Sequence, residues 1–186
     1  RNTGTILATS PDASRISPYG EMAASPGYVF WTDEEGEFYD GGRLWRAVRA
    51  GGGSPELIAD YTVSNRSGFR AVAAVSDSRV ITLLTNGNLV NHTLLPGLPP
   101  FGIPFWLSSN IATSVSAMNV RGGRVHWVSY SGTTSTFYSA PLTDTSARTN
   151  LGTQTTTAGQ LIYQMATGDG RIFYQVLSGA SGDLKR

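Results

Sequence analysis

The sequence predicts an all-β fold, and within that class a β-propeller of four blades with four antiparallel strands each. Three observations predict it: a hairpin pattern repeats four times, further strand patterns accompany each hairpin, and no ten-residue segment has the apolar spacing of an α-helix. The 186 residues suit a single domain, residues 1–186. The repeats are predicted at about 11–60, 61–106, 107–154, and 155–186 plus 1–10.

The hairpin of each blade is predicted from its second strand and the turn before it. The second strands are the runs Val29–Asp33, Val80–Leu83, Val125–Val128 and Ile172–Gln175. Their first residues are 51, 45 and 47 residues apart, which is close to the period of propeller blades. The turns are Pro26-Gly27, Asp77-Ser78, Gly122-Gly123 and Asp169-Gly170. Seven residues before each run lies a first-strand residue: Met22, Ala73, Met118 or Met165.

The remaining strands complete each blade. The third strands contain Leu44–Ala47, Leu89–His92, Phe137–Ala140 and Leu184–Arg186, and the fourth are led by Leu7, Ile58, Ile103 and Leu151. Pairing of the N-terminal strand Thr5–Ala8 with the C-terminal three would close the ring and remove exposed sheet edges. The alternative is half or a fragment of a larger propeller, completed by a second copy or by further sequence. The chain is therefore expected to be a monomer or to self-associate.

The first repeat contains Val29-Phe30-Trp31-Thr32-Asp33, then Leu44–Ala47 and Gly51–Ala59. It resembles the YWTD class of β-propeller repeats of extracellular receptor domains. The match is partial in the third and fourth repeats, at Trp127 and Tyr174, and poor in the second. The resemblance implies a ligand-binding or scaffold domain outside the cell, in which Asp33 stabilises its turn.

The charge and composition of the chain limit the classes of binding partner that we expect. The net charge of +1 leaves no field to attract nucleic acid or an anionic membrane, and no apolar stretch is long enough to span a bilayer. There is no cysteine for a disulfide or a thiolate site. We therefore expect no nucleic acid and no membrane insertion. The numbering opens at Arg1 without Met and without a signal segment, which fits a processed export product and a trimmed chain equally, and we expect a secreted or extracellular protein.

A ligand mouth is predicted in the loops that join blades and that join second to third strands. Exposed aromatic rings beside polar residues suit a protein or carbohydrate ligand, because rigid rings give contact area at low entropic cost. The candidate ligand-binding residues are Tyr61, Arg66, Phe69, Trp106 and Tyr130. The tryptophans Trp31, Trp45 and Trp127 lie on strands and are expected to pack between blades.

Arginine recurs immediately before the second strand. Arg79, Arg124 and Arg171 occupy this position in three repeats, and Tyr28 occupies it in the first. Three guanidinium groups on one face could hold an anion. The simpler interpretation is a solvent-facing polar position that the repeats share by ancestry.

The segment 33–40 is strongly acidic and suggests two interpretations. Asp33, Glu35, Glu37 and Asp40 offer the oxygen ligands that calcium prefers, although their spacing is not that of an EF-hand. The simpler interpretation is a solvated hairpin, and we expect no cofactor.

The sequence favours a non-catalytic binding or scaffold module. His92 and His126 fall on different strands without a neighbouring nucleophile or metal-ligand spacing, so packing is the expected role of His126. First-strand residues such as Met22 and Ala73 predict an apolar axis. Two alternatives are a carbohydrate-binding lectin and a metal-dependent hydrolase or lyase of the propeller type, whose ligands would come from different blades.

Overall fold

A computed structural model of the chain describes residues 22–35, 41–51, 53–61, 67–95, 105–157, 160–178 and 181–185. These residues form fifteen β-strands in four sheets and contain no helix. The prediction of an all-β fold is therefore confirmed. Nothing in this described part of the chain is a helix with the length and apolarity to cross a membrane.

In three sheets four successive strands lie side by side, and in the last sheet three do. The first sheet contains β1 (Met22–Ala24), β2 (Tyr28–Glu35), β3 (Gly41–Val48) and β4 (Glu56–Asp60). The second contains β5 (Phe69–Ser76), β6 (Arg79–Leu84), β7 (Leu89–Leu95) and β8 (Phe105–Ala112). The third contains β9 (Val115–Arg121), β10 (Arg124–Ser131), β11 (Thr134–Pro141) and β12 (Thr149–Thr155). The fourth contains β13 (Gln160–Gly168), β14 (Arg171–Ser178) and β15 (Ser181–Lys185).

The four predicted hairpins are confirmed by the pairing of first and second strands. The predicted first-strand residues lie opposite the second strands, in the pairs Met22–Trp31, Ala73–Ile81, Met118–Trp127 and Met165–Tyr174. Two of the turns have positive φ at both central residues: 59° and 72° at Gly122 and Gly123, and 51° and 70° at Asp169 and Gly170. Such turns match the twist of antiparallel strands, which explains the Gly-Gly and Asp-Gly dipeptides.

The later strands agree with the sequence analysis where they are described. Strands β3, β7 and β11 contain the predicted third-strand runs, and β15 contains Leu184. The predicted boundary between residues 106 and 107 falls inside β8, which continues to Ala112. The proposed closing strand Thr5–Ala8 and the residue Ile103 lie outside the described residues.

The chain divides into two compact units, residues 1–86 with 90–109 and residues 87–89 with 110–186. The first unit has an apolar core built from both of its sheets: Phe30, Leu44, Ile58, Tyr61, Phe69, Val80, Leu84 and Val90. The second unit has its own core, formed by Ala117, Val128, Phe137, Ile162, Met165 and Val176. Trp127 is fully buried, as expected for a strand tryptophan.

Candidate functional site

Asp33, the first residue of the predicted calcium loop, is a buried hairpin residue at the end of β2. One of its carboxylate oxygens accepts the backbone N–H of Arg43 at 3.0 Å, and the other accepts the indole N–H of Trp45 at 2.8 Å. Both oxygens therefore hold β2 to β3, the turn-stabilising role that the YWTD resemblance implies. The Glu35 side chain, Glu37 and Asp40 lie outside the described part, and within that part no three acidic or histidine side chains cluster around a potential metal.

The arginines of the predicted anion site open equivalent strands but have partners within their sheets. Arg79 opens β6 and donates from Nε to Asn91 on β7 at 2.6 Å. Arg124 opens β10 and donates from Nε to Ser139 on β11 at 2.7 Å. Arg171 opens β14 and is exposed. The guanidinium groups of Arg79 and Arg124 therefore each connect the second strand of a sheet to its third strand by a hydrogen bond.

The first sheet also has an arginine in this cross-strand contact, but there it lies on the third strand and its partner opens the second strand. Tyr28 opens β2, and Arg46 occupies the place on β3 that Asn91 and Ser139 occupy on β7 and β11. The Arg46 guanidinium lies 4.3 Å from the centroid of the Tyr28 ring. A cross-strand contact with one arginine therefore recurs in three sheets, and this structural role explains the repetition without a ligand.

The buried side chain of Arg46 is also the centre of a cluster of contacts in the first unit. It forms an ion pair of 2.7 Å with Glu56 and donates to the backbone carbonyl of Asp77. Its guanidinium lies 4.8 Å from the centroid of the Trp106 ring, and the Trp106 indole donates to Glu56 at 2.7 Å. Trp106 is therefore held inside this cluster and is not a freely presented ligand contact.

The other predicted ligand-binding residues have different surroundings. Tyr61 and Phe69 are 9% and 3% exposed and meet edge to face at 5.6 Å in the first core. The expectation that they are exposed loop aromatics is wrong, because they complete the apolar core of the first unit. Tyr130 is 37% exposed, as expected. Arg66 lies outside the described residues.

His92 belongs to a buried hydrogen-bond network that the sequence analysis did not anticipate. The imidazole is fully buried, with Nε2 2.9 Å from the Thr82 hydroxyl and Nδ1 2.8 Å from the Ser108 hydroxyl. Burial lowers the pKa of His92 to about 4. A neutral imidazole has one donor and one acceptor nitrogen, so one hydroxyl donates and the other accepts. The network thus satisfies a neutral side chain within the sheet β5–β8.

The second unit contains a shallow depression of about 380 Å³ with a mixed polar and apolar lining. We call it the Tyr138 depression. Its described lining residues are Asn110, Ile111, Ala112, Thr113, Ser129, Tyr138 and Arg148. They come from the end of β8 and the turn after it, from β10 and β11, and from the segment before β12. Tyr130, one of the predicted ligand-binding residues, is adjacent in sequence to the lining residue Ser129.

Tyr138 and Arg148, which line the Tyr138 depression, are both held by contacts with aromatic rings. Tyr138 stacks on the buried Trp127, with ring centroids 5.5 Å apart and planes 25° apart. The Arg148 guanidinium lies 5.4 Å from the centroid of the Tyr138 ring. These contacts limit the movement of a phenol and a guanidinium that face the depression, while the surrounding amide and hydroxyl groups can form hydrogen bonds.

No protein-family model matches the chain, and no curated protein matches it significantly. Among the described residues that line the Tyr138 depression, no carboxylate or imidazole is present to transfer protons. Groups that can form hydrogen bonds are present on Asn110, Thr113, Ser129, Tyr138 and Arg148. No sequence motif marks them, because they come from four separate segments and are individually ordinary residues.

Proposed function

We propose that the protein is a non-catalytic, extracellular binding module of β-propeller type that takes a carbohydrate ligand in the Tyr138 depression. The observation that carries this proposal is the lining: one aromatic ring, one guanidinium and several neutral hydrogen-bonding side chains converge on a shallow surface. Saccharides offer many hydroxyl groups and an apolar ring face, which such a lining can match. The YWTD resemblance supports a ligand-binding role.

The four sheets are proposed to be the blades of one propeller. The last sheet has three described strands, and the preceding sheets have a fourth strand after the third. The strand Thr5–Ala8 would supply the missing strand beside β15. A mass of 19.8 kDa by native mass spectrometry would support a closed monomer. Twice that mass would support the alternative, in which a second copy completes a larger ring.

The binding function is tested on a glycan array with the purified chain. Asn110→Ala and Thr113→Ala should each reduce binding of the captured saccharide by about fivefold to tenfold, the value of one hydrogen bond. Both residues are exposed, so stability should change little. Tyr163→Ala is the matched control, because Tyr163 is an exposed aromatic residue of β13 in the same unit.

Two outcomes would contradict the proposed binding function. If no saccharide on the array binds, a carbohydrate ligand is excluded. If Tyr163→Ala weakens binding as much as Asn110→Ala does, the ligand lies elsewhere. The alternative of a metal-dependent hydrolase or lyase is tested separately by metal analysis of protein purified without chelator, and a stoichiometric bound metal would favour it.

A further inference from the structure

We infer that the Tyr138 depression is selective for saccharides that carry a carboxylate, such as uronic acids, and that Arg148 binds this group. This inference rests on the proposed carbohydrate-binding function and specifies the class of ligand. Arg148 lines the depression and is exposed. A guanidinium binds a carboxylate through two parallel hydrogen bonds, which are stronger than hydrogen bonds between neutral groups.

Arg148 has no acidic partner among the described residues. Arg43 pairs with Asp60 at 3.3 Å, and Arg46 pairs with Glu56 at 2.7 Å. No described carboxylate lies within ion-pair distance of Arg148, whose guanidinium is placed by the ring of Tyr138 instead. A positioned guanidinium that keeps its hydrogen-bond donors available favours an anionic ligand, because little side-chain entropy remains to be lost on binding.

The balance of hydrogen-bond donors and acceptors in the lining also favours a carboxylate. Arg148 supplies donors only, Asn110 and the hydroxyl residues supply both kinds, and no described lining residue is acidic. A neutral sugar hydroxyl is both donor and acceptor, whereas a carboxylate is only an acceptor. A lining with surplus donors therefore matches a carboxylate better than it matches a neutral saccharide.

The test compares oligomers of glucuronic, galacturonic and mannuronic acid with their methyl esters by isothermal titration calorimetry. Esterification removes the charge and keeps the sugar ring. At least one acid should bind about tenfold to a hundredfold more tightly than its ester, and added salt should reduce this preference. Arg148→Gln should abolish the preference for the acid over its ester. Arg171→Gln, which alters an exposed arginine of the same unit, should preserve it.

The outcomes separate this inference from the function on which it rests. Equal binding of acid and ester, combined with a loss of binding in Asn110→Ala, would overturn the carboxylate assignment and leave carbohydrate binding standing. Loss of the acid preference in Arg171→Gln would instead locate the anion at the arginines that open the second strands. Failure of every acid and of every neutral saccharide to bind would overturn both proposals.

Discussion

At the scale of single residues, His92 illustrates how a side chain that titrates near neutrality can be held neutral by burial. The folded pKa of about 4 lies below the ordinary value of 6.5 for an exposed histidine. The unfolded chain therefore takes up a proton before the folded chain does. As the pH falls from about 6.5 to about 4, this difference lowers the free energy of unfolding, and above pH 6.5 it has no effect.

We predict that the low pKa of His92 lowers the free energy of unfolding by about 3 kcal/mol between pH 7 and pH 4, because each pKa unit corresponds to about 1.4 kcal/mol. Urea denaturation at both pH values measures the loss. His92→Gln should remove this part of the pH dependence, although it should be less stable at pH 7 because the network with Thr82 and Ser108 is disturbed.

His126→Gln is the control for the histidine prediction. Burial also lowers the pKa of His126, with the charge of Arg124 as a second cause, but this side chain is only partly buried. The His126→Gln variant should keep most of the acid destabilisation. If His92→Gln shows the same pH dependence as the unaltered protein, the assignment to His92 is wrong.

At the scale of the secondary-structure elements, buried polar contacts join neighbouring strands. Asp33 joins β2 to β3, and Arg46 joins β3 to Glu56 on β4. The Asp33 and Arg46 side chains are buried, and each meets several partners. Removal of one such group leaves partners unsatisfied, which costs more than the loss of an exposed ion pair.

Asp33→Asn is predicted to lower the free energy of unfolding by about 1 to 3 kcal/mol, because the new amide N–H₂ group would face an N–H donor at Trp45 or Arg43. Asp60→Asn is the control: Asp60 forms an exposed ion pair with Arg43, and its loss should cost less than about 1 kcal/mol. Chemical denaturation measures both. Equal effects would show that the Asp33 contacts do not stabilise the hairpin.

Arg46→Lys is predicted to destabilise the first unit by about 1 to 3 kcal/mol. A lysine keeps the charge but lacks the planar group that stacks on Tyr28 while it donates to Glu56 and Asp77. Arg49→Lys changes an exposed arginine of the same segment and should alter stability by less than about 0.5 kcal/mol. If thermal or urea denaturation does not distinguish the two variants, the stacking is unimportant.

At the scale of the whole molecule, the acidic segment 33–40 raises the question of whether bound calcium stabilises the folded chain. A calcium site would stabilise the folded chain by about 2.7 kcal/mol at a hundredfold excess of calcium over the dissociation constant. Because both oxygens of Asp33 already accept hydrogen bonds, we predict that millimolar calcium leaves the melting temperature unchanged and that a chelator has no effect. A calcium-dependent rise in melting temperature would restore the site predicted for this segment.

The sequence by itself determined the local structure. Period-two apolar patterns and the dipeptides Gly122-Gly123 and Asp169-Gly170 placed the strands and hairpin turns, and the spacing of the repeats predicted the first three four-stranded sheets. These features depend on residues close together in the chain, whose conformational preferences are readable from their order. The YWTD resemblance implied a stabilising role for Asp33 in its turn, and the partners of Asp33 lie in the adjacent strand.

Only the tertiary structure decided which side chains are buried and which ones meet. Tyr61 follows β4 and Phe69 opens β5, and both look like loop aromatics in sequence, yet packing between two sheets places them in a core. The Tyr138 depression brings together residues from Asn110 to Arg148 that share no motif. Burial and convergence depend on contacts between segments far apart in the chain, and a local pattern contains no information on which segments will pack together.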